Sequence, residues 1–228
     1  MEEKKNSKKK TIIIVLLVLL ALAVLAFFLF RDGGALSLAP AVTVETPNKM
    51  SQSDRDEFTL DVTLSDLRDG LYPAASFSIN FDSNKLEFLG LEEGNVLVPC
   101  EKKANGAVTE LPDWGVNVGR SNEIGQINVM YIDLSGGRRA FSKDLLPDGD
   151  RVLFRLRFKL RGSVQSGDII EISFADAVFA ASDEKDSLAS VKNTLKTRSG
   201  RVVIGDGHEE NYKPYSLPLD AVFGHGLR

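Results

Sequence analysis

Hydrophobic and polar residues alternate one by one along several stretches of the chain. The clearest stretch, residues 58–64, reads FTLDVTL. The same alternation occurs in residues 76–81, 154–161, 170–174 and 202–204. Because successive side chains of a β-strand point to opposite faces of a sheet, this period of two predicts strands with one buried face and one wet face. Shorter candidate strands lie at residues 42–45, 86–91, 114–118 and 126–134.

Turn-forming pairs separate these stretches, among them Asp69-Gly70, Asn105-Gly106, Asp148-Gly149 and Ser199-Gly200. The pattern predicts about nine strands at the spacing typical of a sandwich. No long segment after residue 31 has a convincing amphipathic helical stripe. Antiparallel sheets with one apolar face hide that face by stacking on each other. We therefore expect residues 42–205 to form an all-β domain, a nine-stranded β-sandwich of jelly-roll or immunoglobulin-like type.

Residues 11–30 form an uncharged and almost entirely apolar run. A helix of this length spans about 30 Å, the thickness of a bilayer's hydrocarbon core. Residues 1–10 contain five lysines and two glutamates, and such a basic flank stays in the cytoplasm. The sequence predicts a single-pass anchor in the cell membrane, with a cytoplasmic N-terminus and an extracellular domain. The alternative is a signal peptide cleaved within residues 35–39, but the length of the run favours the anchor.

Two further segments flank the predicted sandwich. Residues 31–41 contain Gly33, Gly34 and Pro40 among small residues, a composition typical of a short linker. Residues 206–228 lack the alternating pattern, and we interpret them as a C-terminal tail to which the sequence assigns no role.

Charge and composition favour binding over catalysis as the function of the exported part. Of 28 basic and 32 acidic residues in the chain, five and two lie in residues 1–10, so the remainder is acidic, which argues against a nucleic-acid partner. The single cysteine, Cys100, excludes an intrachain disulfide. Both histidines, His208 and His225, follow the predicted sandwich, which therefore lacks the imidazole of the common nucleophilic enzymes. We expect no enzymatic activity and no cofactor.

Several motifs follow one another in a characteristic order. Residues 77–97 read FSINFDSNKLEFLGLEEGNVL, a strand that ends in an aromatic-Asp turn and continues into Leu-Glu. INVMYIDLSGG, RVLFRLRFKLRG, ISFADAVFA and SGRVVIG follow, beginning at residues 127, 151, 172 and 199. In this order, residues 42–205 resemble the cohesin domain, the receptor module that binds dockerin domains in cellulosome scaffolds. The segments also look somewhat like carbohydrate-binding modules with a related sandwich.

The resemblance implies that a dockerin, folded by its own calcium, docks on the outer face of the sheet that contains the third, fifth, sixth and eighth strands. On the third strand, the pleat predicts four outward residues: Ala74, Ser76, Ser78 and Asn80. Cohesins often carry Asn and Asp near the first two positions, where this chain has Ala74 and Ser76. This departure from the family pattern bears on which dockerins the domain would bind. On the sixth strand, the outward residues are Asn128, Met130, Ile132 and Leu134, and on the fifth we add Trp114 and Val116.

Three of the four outward residues predicted on the sixth strand are apolar, and a contiguous apolar patch on a sheet face indicates a partner. An alternative is that this strand lies centrally and is covered by a loop or by the tail. Trp114 is also ambiguous, because a lone tryptophan can anchor an interface, stack on a sugar ring or lie in the core. Stacking of Trp114 on a sugar ring would favour a carbohydrate-binding module that holds polysaccharide at the cell surface.

Charged residues suggest no further site. Arg155, Arg157, Lys159 and Arg161 line one face of a strand, which we interpret as a solvated outer face. Two carboxylate groupings could offer oxygen ligands to calcium: Asp144, Asp148 and Asp150, and Asp183, Glu184 and Asp186. Neither grouping has the spacing of an EF-hand loop, so calcium stays a minor alternative and no metal ligand is assigned.

Overall fold

The stretches in which hydrophobic and polar residues alternate form strands in the computed structural model. The model describes residues 39–46, 50–51, 57–100 and 106–205. The strands build an all-β sandwich, as expected from the sequence. The predicted membrane anchor at residues 11–30, its basic flank, most of the linker and the tail at 206–228 lie outside the described residues. Within the described ranges, no helix has the length and apolar character needed to cross a membrane.

Five strands form the first sheet: β1 (Ala41–Val44), β3 (Phe58–Leu64), β6 (Leu86–Glu93), β12 (Val152–Leu160) and β15 (Lys196–Arg198). Their order in the sheet is β15, β1, β3, β12 and β6. β3 and β12 are antiparallel, with Leu60 opposite Leu156 and Asp61 opposite Arg155. The leucine pair is buried and the charged pair lies on the solvated face, as the period of two predicts.

The second sheet contains β2 (Met50–Ser51), β5 (Ala74–Asn80), β9 (Gly115–Val116), β10 (Gln126–Ile132), β13 (Ile169–Ala180), β14 (Leu188–Ala189) and β16 (Gly200–Gly205). The main order is β2, β16, β13, β5, β10 and β9, and β14 pairs with β13. β5 lies between β13 and β10 and is antiparallel to both. This arrangement makes β13 and β5 the middle of a broad sheet, and only the short strand β9 lies outside β10.

Two short antiparallel pairs complete the sandwich: β4 (Leu71–Tyr72) with β11 (Phe141–Ser142), and β7 (Val98–Pro99) with β8 (Thr109–Glu110). The described residues thus contain 16 strands, and seven of them are only two residues long. The predicted count of nine is therefore not confirmed. Two-residue strands are too short to produce a recognisable alternation, so the sequence pattern does not reveal them.

Aromatic side chains from the two sheets interlock in the core. Phe77 of β5 lies 5.6 Å from Phe154 of β12 and 5.6 Å from Phe179 of β13, measured between ring centroids. All three rings are at most 1% exposed. Farther along, Phe81 lies 5.4 Å from Phe158. The apolar face of each sheet is thereby removed from water by the other sheet.

A short helix, α1 (Val118–Ile124), replaces the end of the strand predicted at residues 114–118. Asn117 caps its N-terminus, because the Asn117 side chain accepts a hydrogen bond from the Arg120 N–H at 2.9 Å. Gly125 closes the helix in the left-handed conformation, with φ of 67°. Between these two caps the chain leaves the sheet after Val116 and returns as β10.

Candidate functional site

The strands β13, β5, β10 and β9 present a common outer face. Residues that are paired across strands point to the same side of a sheet, so the register arranges their side chains in rows. Four rows cross this outer face: Ala180, Ala74 and Ile132; Val178, Ser76, Met130 and Gly115; Asp176, Ser78 and Asn128; and Ser173, Asn80 and Gln126. Neighbouring rows are two residues, or about 7 Å, apart along the strands.

A bulge in β13 aligns this strand with the rows. The register between β13 and β5 shifts between Phe174 and Asp176, so Ala175 is an extra residue. After the bulge, Ala177 and Phe179 are fully buried, and Asp176 and Val178 take the outward positions opposite Ser78 and Ser76. Without the extra residue, the polar and apolar positions of β13 would be exchanged.

The first two rows form an apolar end of the outer face. Met130 and Ile132 of β10 are each 52% exposed, and β10 is the second strand from the edge of the sheet. Leu134, two residues beyond the end of β10, is 93% exposed. The described residues thus leave the apolar side chains of this strand open to solvent rather than covered by a loop. An apolar patch of this kind is typical of an interaction surface.

A tightly hydrogen-bonded turn holds Leu134 in place. The neighbouring Asp133 accepts hydrogen bonds from the Ser135 N–H and hydroxyl and, at 3.0 Å, from the Arg139 N–H. Partial burial opposes ionisation of Asp133, but hydrogen bonds from the Ser135 hydroxyl and from the backbone of Arg139, Ser135 and Gly137 outweigh it and lower the pKa of this carboxyl. Leu134 is therefore presented by an ordered loop.

The other two rows form a polar end of the outer face. The Ser78 hydroxyl donates to Asn128 Oδ1 at 2.8 Å, and Gln126 Nε2 donates to Asn80 Oδ1 at 2.9 Å. Asp176 is the only charged residue in the four rows. Its Oδ1 atom accepts from the Ser190 hydroxyl at 2.7 Å. These cross-strand contacts hold the polar side chains in fixed positions.

A shallow open groove of about 390 Å³ lies where the two ends meet. The residues that line it include Met130, Asn128 and Ser76, together with Gly115 and Val116 of β9. Gly115, which is paired with Met130, contributes no side chain to this groove. The outer face therefore has a concave site beside its most exposed apolar residues.

Trp114 and Val116 were expected on the outer face, and the structure corrects both positions. Val116 is paired with the buried Val129, so it points inward. The Trp114 indole packs 5.1 Å from Phe154 and 5.6 Å from Phe141, and its N–H donates to the Leu153 carbonyl at 3.2 Å. The outward residue of β9 is Gly115, which sequence reasoning missed because it assigned the opposite phase to this strand.

The remaining predicted residues lie where the pleat placed them. Ala74, Ser76, Ser78 and Asn80 are outward on β5, and Asn128, Met130 and Ile132 are outward on β10. Asp176, Val178 and Ala180 of β13 were not predicted from the sequence as outward residues. The alternation in residues 170–174 stops at the bulge, and the segment ISFADAVFA carries no other sign of which residues face outward.

Charged side chains on the opposite sheet are engaged with one another. Arg155 pairs with Asp61 at 3.0 Å, and Arg157 pairs with Glu57 at 2.5 Å and Glu92 at 3.4 Å. These contacts agree with a solvated outer face. They leave the basic row of β12 without the concentrated free charge that an acidic ligand would require.

The two carboxylate groupings are not arranged as a metal site. Asp183 contacts Lys185 at 2.9 Å, and Glu184 contacts Lys192 at 2.8 Å. These lysine contacts lower the pKa of both carboxyls. In the part of the chain that the structure describes, no group of three or more His, Cys, Asp or Glu residues is placed to hold a metal ion.

Residues 41–198 match the family described as the cohesin domain. This chain belongs to the cohesin family. The cohesin fold is also found in the third cohesin of ScaC from Acetivibrio cellulolyticus, solved in complex with the ScaB dockerin, at 18% identity, covering 73% of this chain and 99% of that one, with a TM-score of 0.51. A second similar structure is the Coh-OlpC–Doc435 complex from Clostridium thermocellum, at 14% identity, covering 73% and 93%, with a TM-score of 0.50. Among curated proteins, none matches the sequence.

Proposed function

We propose that this cohesin binds a dockerin-type protein on its outer face and carries out no chemical reaction. The observation that carries the proposal is the exposure of Met130 and Ile132, neighbours on the outer face of β10, with Leu134 beyond them. Membership in the cohesin family supports a dockerin as the class of partner. Burial of these three side chains on binding would supply a hydrophobic driving force.

The outer face is suited to binding without rearrangement. Its side chains are carried on four adjacent strands whose inward residues pack in the core. The contacts between Ser78 and Asn128 and between Gln126 and Asn80 hold the polar end in place before a partner arrives. Preorganisation reduces the entropy that binding costs.

The test is a titration of the full chain in detergent micelles with a panel of calcium-loaded dockerins, including any that the source genome encodes. We expect Met130→Asp and Ile132→Asp each to weaken binding by at least about a hundredfold, since a carboxylate would be buried in an apolar contact. Circular dichroism should stay unchanged because both side chains are exposed.

The matched control is Val108→Asp, which introduces the same charge at a residue that is 70% exposed and not part of the outer face. This variant should bind like the wild type. Wild-type affinity in Met130→Asp and Ile132→Asp would contradict the proposal, as would the absence of binding to every dockerin in the panel.

A polysaccharide ligand, the alternative from the sequence, lacks a specific observation in its favour. The indole that would stack on a sugar ring packs instead against Phe154 and Phe141. The same titration with insoluble glycans in place of dockerins separates the two functions, and retention on a glycan that Met130→Asp leaves intact would favour the polysaccharide.

We further propose that residues 11–30 anchor the cohesin in the cell membrane with the sandwich outside. The support is the uncharged run and its lysine-rich N-terminal flank. In intact cells, an external protease should degrade the sandwich, and the full-length chain should fractionate with membranes. Release of a shortened chain into the medium would indicate a cleaved signal peptide instead.

A further inference from the structure

Gly115 leaves a gap on the outer face that the fold itself does not require. Its backbone is not in the left-handed region that favours glycine. A Cβ atom placed on Gly115 would meet one neighbour within 4 Å, the Met130 carbonyl oxygen, at an ordinary contact distance of 3.5 Å. The backbone would therefore accept a larger residue here, and the missing side chain is what opens the groove beside Met130.

The groove adjoins the single charge of the outer face. Asp176 is paired with Ser78, which lines the groove, and it lies one row along the strands and three strands, or about 14 Å, across the sheet from Gly115. Its carboxylate accepts hydrogen bonds from the Ser190 hydroxyl and the Ala177 N–H. None of the ion pairs among the described residues involves Asp176. A half-buried carboxylate without a cation is complementary to a cation supplied by a partner.

We propose that the outer face selects dockerin-type partners that present one long aliphatic side chain to the groove at Gly115 and one lysine or arginine to Asp176. This inference rests on the proposed function and specifies the chemistry of the partner. The aliphatic side chain would contact Met130 and continue the apolar end, and the cation would meet the one formal charge on the polar end. Gly115 and Asp176 are thus the specificity-determining residues of the site.

The groove is tested by a substitution that places a side chain of the cohesin itself in it. With the full chain in detergent micelles and a calcium-loaded dockerin that binds the wild type, Gly115→Leu should weaken binding by at least about tenfold, because its side chain occupies the partner's place. Gly115→Ala should have a smaller effect. Gly162→Leu is the matched control, since Gly162 has open space around it and also lies outside the left-handed region.

The charge is tested by Asp176→Asn, which keeps an oxygen to accept the hydrogen bonds from Ser190 and Ala177 and removes the negative charge. We expect affinity to fall about tenfold and its dependence on sodium chloride concentration to decrease, because salt screens a charge pair. Asp148→Asn, in an exposed turn that leads into β12 of the other sheet, is the control and should change neither quantity.

The outcomes separate this inference from the proposed function. Strong loss of binding in Met130→Asp together with wild-type affinity in either Gly115→Leu or Asp176→Asn would overturn the inference and leave dockerin binding intact. Full affinity in Met130→Asp, or no dockerin binding at all, would remove the proposed function and the inference with it. Reduced affinity in both Gly115→Leu and Asp176→Asn, with unaffected controls, would establish the inference.

Discussion

Asp133 couples the ionisation of one carboxyl to the shape of the loop that presents Leu134. Both of its oxygens accept hydrogen bonds: Oδ1 from the Ser135 N–H and hydroxyl, and Oδ2 from the Arg139 N–H. These bonds lower the pKa of Asp133 from its ordinary value of 3.8 despite partial burial. The folded state therefore releases the proton more readily than the unfolded state does.

Asp133→Asn should destabilise the protein in a pH-dependent way. The amide would direct an N–H toward the Arg139 N–H, so one hydrogen bond is lost and two donors face each other. Because the folded pKa is the lower one, the stabilisation by Asp133 is complete above 3.8 and disappears as the pH falls through the lowered value. The measurement is urea unfolding of both proteins from about pH 6 to about pH 2. A stability difference that grows on acidification would contradict this account.

At the scale of elements, the side chain of Asn122 attaches helix α1 to the edge strand β6. Asn122 Oδ1 accepts from the Phe88 N–H at 2.9 Å, and Nδ2 donates to the Phe88 carbonyl at 2.8 Å. The amide thus satisfies both backbone groups of one residue, as a neighbouring strand would. This covers part of a sheet edge that would otherwise offer unpaired backbone groups.

We expect Asn122→Ala to reduce the free energy of unfolding by about 1–3 kcal/mol, because it leaves two partly buried backbone groups without these partners. Arg120→Ala in the same helix is the control, since it removes only an exposed contact with Glu123 and should change stability by less than about 0.5 kcal/mol. Chemical denaturation measures both. Equal stability of the two variants would show that the Asn122 contacts do not hold the helix to β6.

At the scale of the whole molecule, aromatic contacts make the two sheets one cooperative unit. Phe154 belongs to the first sheet, yet its ring lies 5.6 Å from Phe77 of the second sheet and 5.1 Å from Trp114. Neither sheet can keep its apolar face buried if the other separates from it. The outer face of the second sheet therefore depends on residues of the first.

Phe154→Ala should lower the free energy of unfolding by about 3–5 kcal/mol, because it leaves a cavity between the sheets. The single tryptophan, Trp114, touches this ring, so its fluorescence reports on the contact between sheets, while circular dichroism reports on all strands. Both signals should change at the same denaturant concentration. Leu134→Ala, at a residue that is 93% exposed, should leave the midpoint almost unchanged. Separate transitions for the two signals would indicate independent sheets.

The sequence predicted the parts of this protein that local alternation controls. The strands around Phe77 and Met130 were recognised, and their outward residues follow directly from the pleat. The phase of β9 was not predictable, because a strand of two residues offers no alternation and Trp114 is compatible with either face. The outward residues of β13 were also missed, since the bulge at Ala175 changes the phase in mid-strand.

The period of two along the chain determined by itself that this protein is a sandwich. Burial of the apolar face of each strand is a dominant stabilising contribution, and the alternation that produces this face can be read from the local sequence. Tertiary structure alone decided which strands lie side by side. Pairing between β13, β5, β10 and β9 joins residues that are distant in sequence, such as Asp176, Ser78 and Gly115, in neighbouring rows of one face. The groove beside Met130 depends on that pairing. Pairing of β9 with β10 places Gly115, which has no side chain, next to the Met130 side chain.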